Sequence, residues 1–125
     1  MDVTVAKEAI VIEEDKIGSG MAEVHVRLTT LVRNLPRVEA LSGDDLHRAK
    51  LDVRAQIHEI EQLIIRAEED IVPYEAAQRD FNMQGWWYRF NNSHIMRVPV
   101  AQWRRQLAAH KETIAEMKPK YSLNE

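Results

Sequence analysis

Apolar positions recur along this chain in three stripes. In the first, Met21, Val24, Leu28, Leu31 and Leu35 step by three and four residues. That spacing marks one face of an α-helix, with Ser19 placed to cap it and Pro36 to stop it. Val24, Val26 and Leu28 also alternate as a strand would, but the helical pattern accounts for more positions. The second stripe is longer and comprises Leu46, Ala49, Val53, Ile57, Ile60, Ile64, Ala67 and Ile71. Ser42, followed three residues on by Asp45, resembles a capping box ahead of it. A helix over about 43–71 is predicted, roughly 43 Å long at 1.5 Å per residue. The third stripe comprises Trp103, Leu107, Ile114 and Met117, with His110 between them. Ala101, Ala108 and Ala115 run beside it at intervals of seven and permit close helix approach.

Punctuation residues divide these stripes. Val5, Ala9, Ile12 and Lys16 share a helical face, although Ala9–Ile12 also reads as a short strand; a helix is favoured, ended by Gly18-Ser19-Gly20. Pro73 breaks the long helix or opens a short one over 73–84 that Gly85 closes. Pro99 starts the last helix and Pro119 ends it, leaving 120–125 as a frayed tail. The expectation is an all-α fold of four to five helices packed around one long central helix, about 43–71, in a single domain over 1–125. So long a helix in so small a domain points to a coiled-coil-like hairpin or a face offered to another subunit.

Composition supports this picture and removes several chemistries. At 125 residues, with 45% hydrophobic and 30% charged residues, the chain is globular in character. Four glycines and four prolines are too few for a turn-rich β-sandwich, and no cysteine is present. Thiolate nucleophiles, disulfides and cysteine zinc sites are thereby excluded. No run approaches the roughly 20 apolar residues of a membrane span, so a cytoplasmic protein is expected.

The net charge of −3 conceals a polarity. Residues 1–80 hold ten basic and seventeen acidic side chains, whereas residues 81–125 hold seven and three. No acid lies between Asp80 and Glu112. Six of the eight aromatic residues fall within 81–103, centred on 85-GWWYRFNNSHIMR-97. A basic, aromatic segment on an acidic chain can mark an interaction surface.

Signatures of catalysis are lacking. The five histidines form no His-Glu-x-x-His run, and His58 precedes Glu61 where a di-iron bundle places Glu before His. The serines lack a nucleophile-elbow context, and Gly18-Ser19-Gly20 is too short for a phosphate loop. The expectation is a non-enzymatic protein with no catalytic residue, metal or cofactor. Aromatics interleaved with arginine suit single-stranded nucleic acid or a nucleotide, yet the sequence pI of about 6.0 is far from that of such binders. Tryptophan, tyrosine and arginine are also the types enriched at protein hot spots. Adjacent tryptophans point in different directions on helix or strand, so one can plug the core while the other faces a partner. The candidate contact residues are Trp86, Trp87, Tyr88, Arg89, Arg97, Arg104 and Arg105, facing a protein partner with an acidic surface.

The run Gly85-Trp86-Trp87-Tyr88-Arg89, with a looser Val98-Pro99-Val100…Trp103 echo, resembles a run in a phage-encoded, all-helical type I-F anti-CRISPR protein that blocks the system's helicase-nuclease. The likeness spans five of 125 residues. It implies a small viral or mobile-element inhibitor that binds one host protein in the host cytoplasm. Two alternatives stand beside it: a helical virion or assembly component that forms a homo-oligomer, and a nucleic-acid or nucleotide binder acting through segment 85–105.

Overall fold

The computed structural model describes residues 3–83 and 100–121, with side chains described from Glu14 onward and excepting residues 81 and 82. Three helices account for almost all of this: α1 (Val3–Glu39), α2 (Gly43–Met83) and α3 (Val100–Tyr121). Lys16 pairs with Asp70 and Arg27 with Glu59, so α1 and α2 run antiparallel along nearly their whole lengths. Glu75, Glu68 and Glu61 meet Arg104, Lys111 and Lys118 in that order, so α3 runs antiparallel to α2. The result is an up-down-up three-helix bundle.

The three stripes are its core. Met21, Val24, Leu28 and Leu31 from α1, Val53 through Ile71 from α2, and Trp103, Leu107, Ile114 and Met117 from α3 are all buried. Removing one such isoleucine or leucine side chain from water stabilises by about 1.5–3 kcal/mol. Amphipathic packing rather than helix propensity therefore holds these helices. Leu46 and Ala49 belong to the same stripe but are only half-buried. They lie at the end of the bundle, where Leu46 borders an open pocket with Val38 of α1 and Tyr121 of α3.

The bundle has three helices, not the four to five expected, because two expected breaks do not occur. Gly18 and Gly20 lie inside α1. Ile17 and Met21, on either side of them, are both buried, and burial of one continuous face outweighs the roughly 1 kcal/mol that each glycine costs a helix. Pro73 lies inside α2, which continues to Met83 rather than ending near 71. Proline at 73 removes the bond to the carbonyl of Glu69, an exposed position where water can take its place. Ile71 and Tyr74, buried to 0% and 1% exposure, anchor the chain on both sides of that gap. At 41 residues, α2 is roughly 62 Å long. Pro36 likewise leaves the last turn of α1 intact: its carbonyl accepts a hydrogen bond from the Ala40 amide at 3.2 Å.

The expected frayed tail also starts later than residue 120. Tyr121 is buried, and its hydroxyl donates to Glu39 Oε1 at 3.1 Å, tying the end of α3 to the end of α1. Main-chain bonds close the α1–α2 turn, with Leu41 N donating to the Val38 carbonyl at 3.1 Å and Leu46 N to the Ser42 carbonyl at 3.4 Å. Gly43 opens α2 with φ +60°, a left-handed conformation that glycine adopts without steric cost. Among the described residues, no helix is long and apolar enough to cross a membrane.

Candidate functional site

The α2–α3 seam carries a ladder of ion pairs. Arg104 forks onto Glu75, with Nε to Oε2 at 3.0 Å and Nη2 to Oε1 at 3.1 Å. Lys111 Nζ lies 2.8 Å from Glu68 Oε2, and Lys118 Nζ lies 3.1 Å from Glu61 Oε2. The rungs recur every seven residues on both helices, because seven residues are close to two helical turns and keep one face toward the neighbour. The hydrogen bond from Arg104 holds the Glu75 carboxyl below its ordinary range, and the same bond raises the guanidinium further. Ion pairs this exposed add little net stability. Their consequence is register: an acidic column on α2 stands against a basic column on α3.

A groove lies along this ladder. Ile64, Ile65, Ile114 and Ala115 line it between the Glu61–Lys118 and Glu68–Lys111 rungs, and its volume is about 320 Å³. Ile65 is 47% exposed at its edge, and Val72, one heptad along α2, is 58% exposed. Ala108 and Ala115 are exposed on the α3 side. The alanine stripe expected to bring helices together thus faces outward rather than into the bundle.

Of the seven candidate contact residues, Trp86, Trp87, Tyr88, Arg89 and Arg97 lie outside the described residues. Arg104 and Arg105 stand side by side on the first turns of α3. Arg104 is engaged with Glu75, its side chain still 41% exposed, and Arg105 is exposed. Trp103, next to them, belongs to the core. Its ring packs on Tyr74 with centroids 4.9 Å apart at 58°. Tyr74 was not anticipated as a core residue, although it continues the α2 stripe three residues beyond Ile71; reading a helix end at Pro73 concealed it. Its hydroxyl donates to Glu14 Oε2 at 3.1 Å. Burial, reinforced by the Glu14 carboxylate, raises its pKa well above that of an ordinary tyrosine.

The remaining titratable pair is His25 on α1 and His110 on α3, with ring centroids 5.8 Å apart at 48°. His110 is half-buried, and burial lowers its pKa, with the nearby His25 lowering it further. His58 is exposed and Glu61 is engaged with Lys118, so these two do not converge. Among the described residues, no three His, Asp or Glu side chains stand close enough to hold a metal ion together. Their buried side-chain nitrogen and oxygen atoms all have hydrogen-bond partners.

Fold and surface together define an elongated antiparallel helical bundle with a charged, partly apolar seam. In comparisons with known proteins, the chain matches no family model, no curated protein and no solved structure.

Proposed function

We propose that this chain is a non-enzymatic protein-binding module that acts by surface contact, with segment 85–105 as its contact region. The observation that carries this reading is apolar side chain left in water beside that segment. Met83, at the end of α2 where the aromatic segment begins, is 83% exposed. At the start of α3, where the segment ends, Arg105 is exposed next to the buried Trp103. Exposed apolar and arginine side chains together suit the anchors of a protein hot spot. Arg105, exposed within the acid-free stretch from 81 to 111, suits an acidic partner, whereas Arg104 and Lys111 of the same stretch are engaged with Glu75 and Glu68.

The resemblance of 85–89 to an anti-CRISPR run supplies the first partner to test, the helicase-nuclease of a type I-F system. Binding of the purified effector is measured for the wild-type chain and for Arg105→Glu and Trp87→Ala variants. Losing one anchor weakens binding about thirtyfold, while Arg105→Glu leaves the melting temperature unchanged because the side chain is exposed. Absence of wild-type binding removes the type I-F effector as the partner. Retardation of oligonucleotides with a steep salt slope favours the nucleic-acid reading instead.

A further inference from the structure

We propose that the α2–α3 face is a self-complementary interface, and that two copies of this chain dock through it about a two-fold axis parallel to the helices. This surface shares Arg104 with the proposed contact region, but it does not rest on that reading.

The three rungs show that seven residues up α2 correspond to seven residues down α3. By that register Ile65 lies within one residue of the level of Ala115, and Val72 within one of Ala108. Both Ile65 and Ala115 line the same groove. The face therefore presents an exposed ridge of large apolar side chains on α2 and, at matching heights, exposed alanines on α3. A ridge and a row of shallow holes at one spacing can interdigitate as facing helices do.

Within one copy the ridge and the holes lie side by side on the same face, so they do not fill one another. A two-fold axis along the seam lays α2 of one protomer over α3 of its partner without axial slip. Ile65 then sits over the partner's Ala115, and Val72 over the partner's Ala108. Charge favours the same arrangement. The column of Glu61, Glu68 and Glu75 comes over the partner's basic column of Arg104, Lys111 and Lys118, turning each rung into part of a four-charge layer. A two-fold axis perpendicular to the helices instead sets acidic column against acidic column, which opposes association.

The size is sufficient. α3 has 22 residues, so it is roughly 33 Å long. Two helices side by side span about 20 Å. Each protomer thus offers about 650 Å², and the pair about 1,300 Å², within the range of specific interfaces.

The test uses the absence of cysteine from the chain. Ile65→Cys and Ala115→Cys are made as separate variants, and each is oxidised alone and mixed with the other. The expected result is a covalent dimer that forms faster in the mixture than in either single variant. Sedimentation of the wild-type chain is expected to show a dimer at micromolar concentration. Ile65→Glu weakens it roughly a thousandfold, because each dimer loses two anchors at about thirtyfold apiece. Its helical content stays unchanged, since residue 65 is half in solvent. A wild-type monomer far above micromolar concentration overturns the proposal. So does a dimer indifferent to Ile65→Glu, or one in which Ile65→Cys links to itself as readily as to Ala115→Cys.

Discussion

Replacing Gly18 and Gly20 together by alanine should raise the stability of this protein. Both glycines lie within α1, and a Cβ built at either position meets nothing within 4 Å. The substitutions therefore add no clash and remove only the conformational cost of glycine, about 0.8–1 kcal/mol at each helix-interior site. Two residues apart, the positions project from different sides of the helix and share no partner, so their effects add to about 2 kcal/mol. Unfolding entropy near the midpoint is about 2.1 cal/mol/K per residue, or roughly 260 cal/mol/K for this chain. The melting temperature should then rise by about 8 °C. Gly43→Ala is the matched control. There φ is +60°, and forcing a side chain into that conformation costs about 1–2 kcal/mol even though the space is open. Thermal melts followed by circular dichroism at 222 nm, all at one protein concentration, read both effects. Urea melts with an unchanged slope show that the effect is on stability rather than on compactness. The sign decides the matter. If the chain turned at Gly18-Ser19-Gly20, alanine there would be strained and the double variant would melt lower. A fall, or no change, refutes a continuous α1.

Two further outcomes follow from the core and the histidine pair. Ile60→Asp places a carboxylate at a position only 2% exposed and should destabilise by several kcal/mol; wild-type stability on urea denaturation would exclude residue 60 from the core. Because burial and His25 lower the pKa of His110 in the folded state, the unfolded chain binds the proton more readily. Stability should be fully present above about pH 6.5 and decline as pH falls below it, toward the lowered folded value. In stability measured between pH 7.5 and 5.5, His110→Gln should flatten that slope, and an identical slope in the variant would assign the pH dependence elsewhere.

Most of the core was legible in the sequence. The stripes from Met21 to Leu31, from Val53 to Ile71 and from Trp103 to Met117 needed only helical periodicity, because a helix that buries one face repeats its apolar residues every three or four positions. The start of α2 at residue 43 was legible too, but where α1 and α2 run on through glycine and proline was not. Gly18, Gly20, Pro36 and Pro73 are local signals worth from about one to a few kcal/mol each. Whether such a signal ends a helix depends on what lies beside it in space. At Pro73 the packing of Ile71 and Tyr74 decides, and at the two glycines the packing of Ile17 and Met21 decides. Tyr74 itself went unread for that reason.

The chemistry of the surface divides along the same line. An acid-free basic segment and alanines spaced by seven are properties of the one-dimensional chain. That Arg104 is engaged with Glu75, and that Ala108 and Ala115 face outward beside Ile65, depends on how α2 and α3 are juxtaposed. Periodicity determines that a helix has an apolar face and a charged flank, because both lie within one turn or two. Only packing determines which flank meets which, because ion pairs between residues 29 to 57 positions apart exist once the helices are set side by side.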